Sequence, residues 1–114
     1  MLNSGDVVAL DLGTPRGSEA GARHPGIVTT AQRILDAPPS VLRLVPLTSA
    51  ARGFSSEVEI EPDDRNGLGH MSVAQCQHIR TVSADRVEQV VGNVGPVLLS
   101  QIRGTLGLIL DIPY

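Results

Sequence analysis

The chain has no tryptophan and no lysine, and it has one tyrosine (Tyr114), one phenylalanine (Phe54) and one cysteine (Cys76). Two aromatic rings are too few for the platform on which many single-strand binders stack successive bases, which argues against that mode of nucleic-acid binding. A lone cysteine allows no disulfide within the chain, and a reducing compartment is the simpler reading. No apolar run approaches the roughly 20 residues of a membrane span. The opening MLNSGDVVAL lacks the basic start and long apolar stretch of a secretory signal. A cytoplasmic protein that does not enter a membrane is expected. Without lysine, the nine Lys-plus-Arg positions are all arginine, planar forks suited to bidentate contact with phosphate or carboxylate. The formal net charge of −3 argues against nonspecific coating of nucleic acid, which would have to meet a local patch.

What remains is ordinary for a globular chain: 114 residues, 41% hydrophobic and 18% charged, enough for one domain over residues 1–114 with a mostly aliphatic core. GDVVALDL, from Gly5, is β-branched and partly alternating, which predicts a first strand. GTPRGSEAGARHPG then holds four glycines and two prolines, too many breakers for a helix or central strand, and reads as a long loop. IVTT and VLRLVPLTS predict further strands. Pro46 marks an edge or bulge in the second of these. AQRILDAPPS between them predicts a short turn or helix ended by Pro38 and Pro39.

In FSSEVEIEP, Val58 and Ile60 alternate with Glu57, Glu59 and Glu61, the pattern of a half-buried antiparallel strand with its glutamates in water. DDRNGLGH predicts a turn, MSVAQCQHIRTV a strand or bent pair of strands, SADRV a capped turn of helix, and EQVVGNVG another strand. PVLLSQIRGTLGLIL differs: Pro96 stands in a first helical turn, and Leu98, Leu99, Ile102, Leu106 and Ile109 repeat at helical spacing. Gly104 and Gly107 weaken that helix by roughly 1 kcal/mol each relative to alanine, so it must rely on packing. Short strands with hairpin-length connections and one C-terminal helix predict a mainly β protein, a small, strongly bent antiparallel barrel crossed by a helix.

Four segments in order carry a resemblance to a known family: GDVVALDLGTPRGSEAGARHP, VPLTSAARGFSSEVEIEP, SVAQCQHIRTVS and LLSQIRGTLGLILDIP. Together they resemble the MazF/PemK toxins of type II toxin–antitoxin pairs, nearly end to end. The resemblance implies an SH3-like barrel of the MazF/CcdB-like toxin fold and a homodimer. It also implies a metal-independent endoribonuclease (an mRNA interferase) acting on single-stranded RNA with no cofactor, and a MazE-like antitoxin as partner. In the family a Gly-Ser-Glu loop leads to a catalytic arginine directly before proline, and a catalytic threonine follows two residues after another proline. Thr48 and Glu19 match these positions. The arginine is displaced: His24 precedes Pro25, and Arg23 stands one place earlier. Gln77-His78 stands where the family often has Asp-Gln. Catalytic roles are therefore expected at Arg23, His24, Thr48 and Glu19, and RNA contacts at Arg16, Ser18, Ser49, Arg52, Gln77, His78 and Arg80.

The implied reaction is attack of a ribose 2′-hydroxyl on the adjacent phosphorus. It needs a base, an acid for the leaving 5′ oxygen, and donors for the charge on the phosphoryl oxygens. Arginine is a poor base at neutral pH but a good phosphate clamp, whereas an imidazole, with an ordinary pKa of about 6.5, can carry a proton either way. Neighbours on a regular strand point to opposite sides, so Arg23 and His24 would share one site only on a twisted segment. Cys76 and His78, two apart on a predicted strand, would face the same way and with His70 form a possible zinc set. With one thiol and no recurring ligand spacing, no metal is expected, and a core cysteine beside a dimer-facing histidine is favoured. A CcdB-like gyrase inhibitor on the same fold, or an inactive relative acting by protein binding, is the alternative. Gyrase-binding relatives act through the end of the C-terminal helix, and the apolar LILDIPY gives that reading little support.

Overall fold

Strand order follows from where apolar residues can be covered on both faces of one sheet. The computed structural model describes residues 1–11 and 23–113, Arg23 by its backbone alone. Seven strands are present among these: β1 (Asp6–Asp11), β2 (Arg23–Val28), β3 (Val41–Thr48), β4 (Glu57–Ile60), β5 (Ser72–Gln75), β6 (Arg80–Ser83) and β7 (Val87–Asn93). Two α-helices accompany them, α1 (Gln32–Leu35) and α2 (Gly95–Ile109), with short 3-10 turns at Cys76–His78 and Ala84–Arg86. Every pairing is antiparallel, in the order β4-β5-β3-β2-β1-β7, with β6 also joined to β3. The expected mainly β architecture with a C-terminal helix is present. The bent sheet does not close into a barrel among the described residues, because β4 and β7 stand at opposite ends of the strand order and do not pair.

Alternation along the strands divides the interior in two. Val7, Ile27 and Val45 stand in one cross-strand row and enter a large core with Leu47, Val58, Ile60, Ala74 and Cys76. α2 closes that core through Leu99, Ile102 and Leu106. Val8, Val28 and Leu44, each one residue along, serve a second core with Leu10, Leu42, Val82 and Leu35 of α1. Burial of the three α2 side chains contributes roughly 1.5–3 kcal/mol each. That outweighs the glycine penalty anticipated for this helix. The apolar spacing holds for Leu99, Ile102 and Leu106, while Ile109 is exposed. Near there the helix ends in a Schellman turn, with Asp111 at positive φ and the Ile112 N–H donating to the Gly107 carbonyl at 2.8 Å.

One expectation changes and another is narrowed. The breaker-rich stretch read as loop through Gly26 becomes strand from Arg23 onward. Pro25 is tolerated because the ladder from β2 to β3 stops at Gly26, so residues 23–25 pair with β1 alone. The segment around Cys76 is a bent pair of strands, with a turn rather than continuous strand between Cys76 and His78.

The DDRNGLGH turn is held by Asn66, which is wholly buried. Its Oδ1 accepts the Asp63 and Leu68 N–H groups at 3.2 and 3.0 Å, and its Nδ2 donates to the Glu61 carbonyl at 2.8 Å. This knot lies directly on β7: the Asn93 N–H donates to the Arg65 carbonyl at 2.8 Å. A Cβ on Gly92 would stand 2.3 Å from that same oxygen. Gly92→Ala must therefore push the turn off the strand and is expected to destabilise the protein by about 2 kcal/mol or more, the scale of overpacking. Gly69→Ala, which meets nothing within 4 Å, is the comparison. Thermal unfolding should separate the two; equal melting temperatures would contradict the packing argument.

Candidate active site

The third β-strand organises the site. On one edge it pairs with β2 through Leu44, Val45 and Pro46. On the other edge Val41–Leu44 pair with β6 and Leu47–Thr48 with β5. Continuing the β5 register would bring Gln77 opposite Leu44, but Arg80 stands there instead. Three residues are looped out, which is the length of the Cys76–His78 turn. Pro46, with no N–H to donate, lies in the interval that neither strand pairs. The turn sends Cys76 into the large core, where burial pushes its thiol up to about 11 and keeps it protonated and unreactive at neutral pH.

Beside this break opens a cleft of about 450 Å³ lined by Leu10, His24, Pro25, Gly26, Leu44, Pro46, Gln75, His78 and Arg80. Its size lies within the range of about 300–1,000 Å³ usual for ligand sites. A shallower depression of about 270 Å³ adjoins it across Pro25, which lines both; Leu47, Thr48, Ser49, Leu68, His70 and Ser72 complete it. The Thr48 Oγ1 accepts the Ala50 N–H at 3.1 Å, which fixes the hydroxyl and leaves its proton to donate outward.

The residues singled out in the sequence thus fall into three groups. His24, His78 and Arg80 meet in one cleft, and Thr48 and Ser49 lie in the adjoining depression. Arg52 and Gln77 line neither. The exposed Arg52 belongs to a turn whose N–H groups at Arg52 and Phe54 donate to the Glu57 carboxylate at 3.0 and 3.1 Å. Glu57 therefore holds that turn rather than facing water, while Glu59 and Glu61 are exposed as expected. Gln77 accepts the Ser56 hydroxyl at 2.9 Å, and its buried Nε2 has no partner among the described residues. Arg16, Ser18, Glu19 and the Arg23 side chain lie outside the described residues.

The sequence suggests His70 only as a zinc ligand, yet it lines the same depression as Thr48. The pairing of Thr48 with Val73 is the signal that would have found it, and that pairing joins segments 25 residues apart in sequence. With Cys76 buried in the core and His78 exposed on the far side of a turn, the zinc set does not assemble. No group of three or more His, Cys, Asp or Glu among the described residues could hold a metal. No helix among them is long and apolar enough to cross a membrane.

Comparison with known proteins agrees with this fold. Endoribonuclease MazF9 of Mycobacterium tuberculosis (strain ATCC 25618 / H37Rv) is 29% identical over 117 residues, covering 98% of both chains. Among solved structures, MazE–MazF (Form II) from Deinococcus radiodurans matches with a TM-score of 0.77 and 26% identity, over 98% of this chain and 97% of that one. An endoribonuclease in complex with its cognate antitoxin, from a mycobacterial species, shares the fold with a TM-score of 0.78 at 21% identity, covering 100% of this chain and 99% of the other. The sequence model of the PemK-like, MazF-like toxins matches residues 3–110, and the chain belongs to that family of toxins of type II toxin–antitoxin systems.

Proposed function

We propose that this toxin is a sequence-selective endoribonuclease that cuts single-stranded RNA without a metal, by attack of a 2′-hydroxyl on the adjacent phosphorus. The observation that carries this reading is the convergence of His24, His78 and Arg80 in one cleft, with Thr48 across Pro25. Arg23 holds the phosphate, His24 exchanges a proton, and the Thr48 hydroxyl donates to a phosphoryl oxygen in the transition state. Glu19 orients an arginine or relays a proton. Arg80, His78 and Ser49 contact the RNA, with Arg16, Ser18, Arg52 and Gln77 along its path. The products are a 2′,3′-cyclic phosphate and a 5′-hydroxyl. The protein acts in the cytoplasm as one toxin domain over residues 1–114.

A MazE-like antitoxin restrains it, as the MazE–MazF relative suggests. It works as a homodimer. The exposed Leu108, Leu110 and Ile112 at the end of α2 offer apolar area toward a seam, which needs about 1,000 Å² or more in all. Light scattering at micromolar concentration should give twice the chain mass; a monomer there contradicts the dimer.

Cleavage of single-stranded RNA should survive EDTA, and duplex RNA should resist, because a duplex holds the 2′ oxygen out of line with the leaving group. Loss of activity to chelator with recovery in Mg²⁺ would refute the mechanism. Thr48→Ala should lower the rate by about 10²-fold or more, the effect of deleting one oxyanion-type donor. A change below threefold returns Thr48 to a structural role.

The displaced arginine gives the sharpest division. With His24 in the chemistry, the rate should follow a limb in the ordinary imidazole range, about 6 to 7, where arginine does not titrate. Arg23→Ala should weaken activity at every pH, whereas His24→Ala should remove that limb and lower the maximum by about 10²- to 10⁴-fold. The double variant Arg23→His, His24→Arg restores arginine directly before Pro25. If it cuts as well as the unaltered protein while His24→Ala is nearly silent, the histidine has no chemical role.

A further inference from the structure

All three histidines of the chain gather around Pro25: His24 and His78 in the cleft, and His70 in the depression beyond it. They come from β2, the turn after β5, and the segment before β5, so only the fold brings them together. The geometry points to His78 as a second proton carrier of the cleft, paired with His24, one serving as base and the other as acid. This assignment rests on the nuclease reading above and goes beyond its RNA-contact role for His78.

Transesterification moves two protons at opposite ends of one O–P–O line, and a single imidazole cannot stand at both ends at once. The base takes the 2′-hydroxyl proton as the O2′–P bond forms, and the acid gives its proton to O5′ as the P–O5′ bond breaks. The two imidazoles thereby exchange protonation states, which solvent then restores. Of the described side chains lining the cleft, only His24 and His78 are imidazoles, the side-chain type suited to passing a proton either way. The other polar ones are Arg80, cationic throughout, and Gln75, which does not ionise. His24 is half-buried on β2 and His78 is exposed on the turn that faces it across the Pro46 break. They therefore enter from different elements, as a flanking pair must. Arg80, two residues beyond His78, can neutralise phosphate charge between them. His70 lines the Thr48 depression on the other side of Pro25.

A pair that needs one member neutral and the other protonated gives a bell-shaped rate with two limbs, whose apparent values belong to the pair. The decisive substrate carries sulfur in place of the bridging 5′ oxygen, because a thiolate leaves without being protonated. With saturating RNA in single turnovers, His24→Ala and His78→Gln should each lower the rate by about 10²- to 10⁴-fold and each erase one limb. On the sulfur substrate one of them, the variant lacking the acid, should return to within about tenfold of the unaltered protein, while the other stays slow. That rescue also reports an intact fold. Three results overturn the pairing: His78→Gln within threefold of the unaltered protein, His78→Gln raising KM alone with both limbs kept, or rescue of neither variant. An unaltered protein that cuts neither substrate refutes the nuclease reading itself, and the pairing falls with it.

Discussion

Pro46 is the constraint on which the site depends. A strand paired on both edges needs every N–H in a ladder, and β3 has one residue that cannot supply its own. Its pairing with β2 ends at that residue, opposite Gly26, and the other edge changes partner there, from β6 to β5. The chain joining those two partners must then leave the sheet and return, and it does so in the three-residue turn that carries His78. Had β5 and β6 been one continuous strand, Gln77 would oppose Leu44 and the cleft mouth would be closed by backbone. The opening is thus a consequence of a missing hydrogen-bond donor.

The two cores explain why the opening has two compartments. Leu10 and Leu44 belong to the second core and also line the cleft, whereas Leu47 belongs to the large core and lines the Thr48 depression. Each depression lies at the rim of one core, where the alternation of strand side chains reaches the end of its cover. Pro25 stands between them because β2 has by then lost its pairing with β3. Its ring makes an apolar divider with no N–H left unsatisfied. An RNA strand crossing such a divider would have its backbone on the ridge and its neighbouring groups to either side.

Much of this was legible in the sequence because it depends on local pattern. Val58 and Ile60 faced inward as their alternation required, Pro96 opened the helix, and Ser83 capped the turn before β7 by accepting the Asp85 N–H. What was not legible depends on pairing between distant segments. A stretch with Pro25 and Gly26 reads as loop until one sees β1 supply a ladder on one edge alone. Glu57 reads as a wet strand residue until the turn at Arg52 and Phe54 folds its N–H groups onto the carboxylate. Cys76 and His78 share a face only on a straight strand, and the looped-out residues remove that condition. Family resemblance pointed to Thr48, to a displaced arginine and to His78 as an RNA contact, but it could not bring His70 to the same neighbourhood, since it assigns nothing there.

The displaced arginine has a physical meaning once the cleft is known. A site built on guanidinium groups stabilises charge well and moves protons poorly, since arginine keeps its proton across the whole working range. Replacing the residue before proline by histidine surrenders a fixed cation at that point and gains an imidazole, a side chain suited to proton transfer. That exchange preserves phosphate binding only if positive charge remains close by, and Arg80 in the same cleft meets the requirement from the β6 side. In the proposed mechanism charge stabilisation and proton transfer are divided between separate side chains, each suited to one task. Under that mechanism the rate would depend on pH where a guanidinium site would not, and the spacing of β2 from the turn after β5 would be a chemical variable. Pro46 stands where β3 changes partner from β6 to β5, so the break beside it also places the turn that carries His78 in the cleft with His24.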